Sequence, residues 1–407
     1  PKESVKANEA SEPFLFSGWT NRCGWVKNEG NQPVNFTFEI DEAGNNEWKT
    51  LKSVTVNAGK ATSVPFLSTE RGEWIRVKTD KNTMATVSFN YTSPDIRSTS
   101  SDSIYKGLTT VDKTTTTGGL LYGLGDNRRA LGLLANVTVD GKISETGYYE
   151  MGDKLELIRK EDAKTADLIR SKFAIPQQVI SIEESSVLVV DDLGRRWRLP
   201  LGNETYKKLT DQGVLRICRE VATERDLFSC MGTFYELPAE NADGYAKIRP
   251  VSTHNYRIND YASYRGMLVL TGVTPEDGKE NPHVVISDDG KAAVWVGVID
   301  DLWTLGKPVG HGGPWKDTNV KAGVASDPYL IGFYDKKELS LSHQSDKKVV
   351  ITVEVDPTGN GDWMEYAAYA VQPGERFVQQ LPEAFQARWI RFVSDTDTKA
   401  TAWLDYK

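Results

Sequence analysis

Between Arg219 and Arg265 the chain gathers Glu224, Arg225, Asp226, Tyr235, Glu236, Glu240, Arg249, His254, Asn255, Tyr256, Arg257, Asp260, Tyr261, Tyr264 and Arg265. A carbohydrate site uses this mixture. Aromatic faces stack on the C–H faces of sugars, arginines neutralise uronate or sulfate groups, and a His, Tyr or carboxylate moves protons. His254 leads the catalytic candidates because the chain has 4 histidines and imidazole titrates near neutral pH. Glu224, Asp226 and Tyr261 complete that set, and Arg225, Arg249, Arg257, Arg265 and Tyr235 are the expected substrate contacts. His311, among Gly310, Gly312 and Gly313, and the nearby Trp315 extend them, since a glycine-rich loop lets a ligand approach closely. The structural alternative has Glu224, Arg225 and Asp226 in ion pairs at a sheet junction, His254 capping a turn and His311 in a plain connection. His283 and His343 read as structural residues.

Two mechanisms are open to such a cluster. A glycosidase needs two carboxylates roughly 5 to 5.5 Å apart for retention or about 6.5 to 9.5 Å apart for inversion, and Glu224, Asp226, Glu236 and Asp260 supply the pairings. A polysaccharide lyase needs a base to take the proton α to a uronate carboxylate, with a cation to neutralise that carboxylate. His254, Tyr256 or Tyr261 with Arg257 or Arg265 answer to those roles. Sequence motifs for serine hydrolases, nucleotide binding and HExxH zinc proteases are absent. Cys23, Cys218 and Cys230 lack CxxC spacing, so no metal and no cofactor is expected. Cys218 and Cys230 read as buried thiols in preference to one disulfide.

A net charge of -8 without a basic run argues against nucleic acid. The apolar stretches fall short of the roughly 18 residues that a membrane-spanning helix needs. The expected partner is a polysaccharide or oligosaccharide, and the expected location secreted or periplasmic. The sequence opens at Pro1 without Met, so an upstream segment of the same protein is an expectation too.

The elements that must hold these residues are strands, and some of them come twice. Glu12-Pro13-Phe14-Leu15 matches Asp327-Pro328-Tyr329-Leu330 at an offset of 315 residues. The same offset pairs Val34, Phe36, Phe38 and Ile40 with Val349, Ile351, Val353 and Val355, both alternating as half-buried strands do. It continues through Asp41, Gly44 and Trp48 against Asp356, Gly359 and Trp363, through Trp74-Ile75-Arg76 against Trp389-Ile390-Arg391, and ends with Tyr91 against Tyr406. The stretches 41–46 and 356–362 carry hairpin residues; a calcium loop is the weaker reading of the second. The expected organisation is a disordered or linker N-terminus over 1–11, a first β module over 12–92, a linker over 93–103, a β-propeller-like domain over 104–326 and a second β module over 327–407.

Within the middle, short strands alternate with two helical stretches, 162–173 and 203–212. Asp192-Leu193-Gly194-Arg195-Arg196-Trp197 resembles the D-x-G-x-x-W part of the sialidase Asp-box, and Ser287-Asp288-Asp289-Gly290 with Trp295 resembles a distorted copy. Segments 223–226, 232–238, 249–255 and 310–315 are similar to β-propeller proteins of glycan-degrading bacteria. These resemblances imply an all-β fold with a propeller-like centre and sandwich-like modules at both ends. They imply a glycoside hydrolase or polysaccharide lyase acting on an acidic or plant-type glycan, with a non-catalytic glycan-binding or scaffold protein as the alternative.

Overall fold

The structure is a computed structural model and describes residues 2–125, 129–222 and 225–407. It is mostly β, built of multiple antiparallel sheets. The first eight strands are β1 (Glu3–Val5), β2 (Phe14–Leu15), β3 (Asn21–Asn28), β4 (Val34–Asp41), β5 (Trp48–Val56), β6 (Ala61–Phe66), β7 (Trp74–Thr79) and β8 (Thr83–Thr92). They form two four-stranded sheets, β1-β8-β3-β6 and β2-β7-β4-β5. Val34, Phe36, Phe38 and Ile40 all point into the core beside Phe16, Phe66 and Ile75, as the alternation predicts. Glu3–Val5, expected to be linker or disordered, instead pairs with Thr83–Ala85 of β8. Two charged neighbours, Lys2 and Lys6, hide that short edge strand from a reading based on hydrophobicity.

The centre contains β9 (Thr116–Gly123), β10 (Leu131–Val139), β11 (Lys142–Met151), β12 (Leu157–Lys160), α1 (Ala163–Lys172), β13 (Ser181–Ile182), β14 (Val187–Val190), β15 (Arg196–Leu199) and α2 (Thr205–Asp211). It continues with β16 (Cys218–Ala222), β17 (Arg225–Cys230), β18 (Thr233–Pro238), β19 (Arg249–Thr253), β20 (Tyr261–Tyr264), β21 (Met267–Leu270), α3 (Pro275–Gly278), β22 (Val284–Ile286) and β23 (Ala293–Gly297). Sheets β9-β10-β11-β12 and β16-β17-β18-β19 are simple meanders, the connectivity of a propeller blade, whereas the third runs β20-β21-β23-β22. No closed barrel or propeller is detected among the described residues. Strands β13, β14 and β15 leave the centre altogether, because β15 adds in parallel to a strand near the C-terminus.

The last eight strands are β24 (Gly310–Val320), β25 (Tyr329–Leu330), β26 (Lys337–His343), β27 (Val349–Asp356), β28 (Met364–Val371), β29 (Phe377–Gln380), β30 (Trp389–Ser394) and β31 (Thr398–Tyr406). Their orders, β24-β31-β26-β29 and β25-β30-β27-β28, repeat those of the first eight strand for strand. The second sheet grows to seven strands by taking on β13-β14-β15. Matching side chains do matching work. Asp41 accepts the N–H groups of Ala43, Gly44, Asn45 and Asn46, and Asp356 those of Thr358, Gly359, Asn360 and Gly361. These carboxylates close hairpins. Arg76 lies 4.2 Å over the Trp48 ring and Arg391 the same 4.2 Å over Trp363.

The two copies also pack on each other. Trp25 is fully buried, its rings 6.1 Å from Tyr366 and 5.8 Å from Phe385, and Asn90 donates to the carbonyls of Pro357 and Gln386. Sheet β1-β8-β3-β6 of the first copy thus turns its outer face against the second copy.

Candidate functional site

The strand pattern carries the predicted residues into separate surroundings. His254 follows β19 and its ring is sealed between Phe234, Tyr206 and Tyr256. Nδ1 accepts the N–H of Tyr256 at 3.1 Å, which puts the proton on Nε2, and Nε2 has no partner among the described residues. Burial draws the imidazole down to about 3, so it stays neutral at ordinary pH. A base for a polysaccharide must reach the sugar, and this ring does not reach solvent. It caps its own turn, the structural alternative posed by the sequence.

Tyr261, on β20, donates its hydroxyl to the Leu227 carbonyl at 2.7 Å, and burial raises its pKa well above the usual phenol value. Asp226, on β17, is half-buried; desolvation raises its pKa, opposed by a hydrogen bond from Cys218. Glu224 lies outside the described residues. Arg225 and Arg249 both bind the Glu236 carboxylate, which ties β17, β18 and β19 together. Tyr235 is a core residue whose hydroxyl meets that of Tyr334 at 3.4 Å. Arg257 is buried, with Thr138 Oγ1 3.5 Å away, and burial lowers its pKa. Arg265 sits in a tight turn, its Nε donating to the Tyr264 hydroxyl at 3.0 Å. Trp315 is buried beside Phe392. His311 stacks on Trp403 at 5.8 Å. His283 and His343 hold the backbone carbonyls of Val296 and Val371.

Asp260 has the most developed polar environment. Fully buried, it binds Arg216 at 3.0 Å and Arg219 at 3.4 Å and accepts the N–H groups of Leu121 and Tyr261. Arg216 and Arg219 line a groove of about 310 Å³ with Tyr122, Phe173, Glu220 and Ser263. The carboxylate was a predicted catalytic partner, but its oxygens are taken up by these donors and face the sheet junction.

The Asp-box resemblance also shifts by one residue. Asp191, not Asp192, pins the β14–β15 turn, accepting the N–H groups of Leu193 and Arg195, Arg195 Nε and the Trp197 indole N–H. Its counterpart in the second such turn, Asp289, is desolvated yet drawn down to about 2 by hydrogen bonds from Ser287, Tyr149 and the Lys291 N–H. Cys23, Cys218 and Cys230 are free thiols, and burial pushes those of Cys23 and Cys218 up to about 12.

A second concavity, of about 350 Å³, opens on the outer face of sheet β24-β31-β26-β29. Lys316, Asp317, Ser340, Ser342, Arg376, Thr401 and Trp403 line it, with Leu341 at its floor. Lys316 Nζ stands 5.8 Å over the Trp403 ring, and Arg376 donates to the Ser340 hydroxyl at 3.3 Å. The duplication explains why a hollow exists here. At the offset of 315, Ser340 replaces Trp25, Arg376 replaces Ala61 and Trp403 replaces Ser88. The plug of the first copy has become a small hydroxyl, and the aromatic and the cation have moved to the walls. Sequence reading reached only His311 and Trp315 in this neighbourhood; comparing the two copies at Trp25, Ala61 and Ser88 was the signal for the rest.

No family model matches the chain, and no curated protein does. Among solved structures, the PBSX exported protein XepA aligns over 100% of this chain and 84% of its own, at 8% identity and a TM-score of 0.18. A Bacillus subtilis oxalate decarboxylase aligns over 99% and 65%, at 12% identity and 0.16. A glycoside hydrolase family 32 protein from Bifidobacterium adolescentis aligns over 98% and 99%, at 7% identity and 0.16. Likenesses of this size carry no weight for fold or function.

Proposed function

We propose that the protein is a non-catalytic binder of acidic glycans, secreted or periplasmic, in which the central sheets serve as a rigid scaffold. The observation that supports this reading is the concavity of the second copy, which sets an indole beside two cations, three hydroxyls and one carboxylate, that of Asp317, which already accepts from Gln344, on an open sheet face. A sugar ring stacks on Trp403, its hydroxyls bond to Ser340, Ser342 and Thr401, and a uronate or sulfate group pairs with Lys316 or Arg376. The enzyme reading has less support. His254 and Tyr261 are sealed, and Asp260 and Glu236 are held by arginines.

Calorimetric titration with oligogalacturonate and with a neutral cello-oligosaccharide tests the proposal, alongside a search for new reducing ends and unsaturated uronate absorbance. Saturable binding of the acidic ligand, at least about tenfold weaker in Trp403→Ala, without turnover, is the expected outcome. Turnover of either oligosaccharide by the native chain, or no binding of acidic oligosaccharide, rejects it.

A further inference from the structure

In the second copy the Asp327–Leu330 segment is a docking site for β15. The Arg198 N–H donates to the Pro328 carbonyl at 2.9 Å, and Arg198 pairs in parallel with Tyr329. The Asp327 carboxylate accepts Arg196 Nε at 3.0 Å and Arg198 Nε at 2.8 Å. Trp197 packs on Trp389 with centroids 4.7 Å apart. Together with Ala246, whose carbonyl accepts the Trp389 indole N–H, and Tyr235, whose hydroxyl meets that of Tyr334, this cover leaves Tyr329, Leu330 and Trp389 0% exposed and Tyr334 2%.

The first copy keeps the same chemistry without the cover. At the same offset stand Glu12, Phe14, Leu15, Trp74 and Trp19, and the last four are 46%, 39%, 39% and 40% exposed. Strand β2 is the free edge of its four-stranded sheet, while its counterpart β25 is interior to seven. Phe14 is held ready by stacking on Phe89 at 5.1 Å. The rim has also turned acidic, since Glu73 occupies the place of Arg388. A bare strand edge beside four exposed large apolar side chains is unusual for a surface with no partner.

We infer that the Glu12–Leu15 edge of the first copy receives a strand from a partner protein. The strand is of the β15 type: basic, aromatic, basic, aliphatic, added in parallel to β2 by backbone hydrogen bonds. One of its arginines pairs with Glu12, and its aromatic side chain covers Trp74. A second copy of this chain does not supply it, because both edges of its β15 are occupied, by β14 and β25. The acidic rim and the row of apolar rings select a basic, strand-forming protein segment over an acidic glycan.

The probe is a disulfide-cyclised hairpin peptide with the sequence of residues 186–200, titrated into the full chain by tryptophan fluorescence and calorimetry. A single saturable site is expected, weakened at least about tenfold by Trp74→Ala and by Glu12→Arg. A peptide carrying R198E binds the native protein poorly and regains binding to Glu12→Arg. Circular dichroism checks that both variants fold, which their exposed positions favour. Absence of saturable binding by the cyclised peptide, or binding that ignores both substitutions, overturns the inference. A sedimentation shift showing that the chain self-associates through Trp74 also overturns it, in favour of a second copy as occupant.

Discussion

The Trp25 indole N–H donates to the backbone carbonyl of Gln386 at 2.7 Å, a bond between residues 361 positions apart that fastens the first copy to the second. Around it Tyr366 and Phe385 close on the indole edge, so a polar bond is made inside an apolar contact and no donor is stranded. The bond acts with the two hydrogen bonds of Asn90 and the Lys60–Glu365 ion pair in joining the copies.

Trp25→Ala should therefore cost about 3 to 5 kcal/mol, because it empties a packed site and removes one of the two donors, the other being Asn90, that the Gln386 carbonyl accepts. Urea unfolding measures this. A loss below about 1 kcal/mol would show that the copies are held together elsewhere. The reciprocal change, Ser340→Trp, places an indole where the second copy has its hollow and should abolish oligogalacturonate binding, with circular dichroism checking that the variant folds.

The neutral, buried His254 makes stability depend on pH. Its folded pKa, about 3, lies below the ordinary value of 6.5, so between those values the unfolded chain takes up a proton that the folded chain refuses. Stability is then full above about pH 6.5 and falls by up to about 1.4 kcal/mol per unit as the pH drops towards 3. His254→Asn keeps an acceptor for the Tyr256 N–H and cannot titrate. Unfolding free energies at pH 7 and pH 5 should differ markedly less in this variant than in the native chain; equal differences would mean that the ring is not sealed.

Much of this fold is legible in the chain itself, and the reason is local. Turn aspartates 41 and 356 bond to N–H groups within five residues, and the core of β4 alternates in plain sight, so a constant offset carries both copies. The candidate site is harder to read because its contacts are distant. Nothing adjacent to Asp260 announces Arg216, 44 positions earlier, and nothing near Arg198 announces Asp327, 129 positions later. The dense polar run from Arg219 to Arg265 looked like one site because its residues are close in sequence. Alternation along β17, β18, β19 and β20 sends them to different faces. The hollow at Trp403 left no motif, only a difference between copies at three positions.

The duplicated turn glycines give a test of how context changes one residue's role. Gly44 and Gly359 have φ of +69° and +76°, so alanine is strained at either, by about 1 to 2 kcal/mol. A Cβ on Gly44 meets nothing nearer than 3.8 Å, whereas one on Gly359 falls 2.3 Å from the Ala246 carbonyl oxygen. Gly359→Ala should thus destabilise several-fold more than Gly44→Ala in thermal unfolding. Equal losses would mean that residues 244–247 move aside freely and do not clamp the second turn.

The Asp260 carboxylate gives the most demanding test, because the bland and the catalytic readings of it predict different things. Fully buried between Arg216 and Arg219, it is the counter-charge for guanidinium groups that burial has taken out of water. Asp260→Asn preserves the shape, removes the charge and should cost about 3 to 5 kcal/mol. If the loss is that of a broken pair, adding Arg216→Gln should cost far less than its own single substitution does, since no unpaired charge is then created at that end. A double-mutant cycle by urea unfolding reads the coupling directly. Additive losses, or an Asp260→Asn protein as stable as the native one but altered in glycan turnover, would move the carboxylate from scaffold to chemistry and reopen the enzyme reading at the groove beside Tyr122 and Phe173.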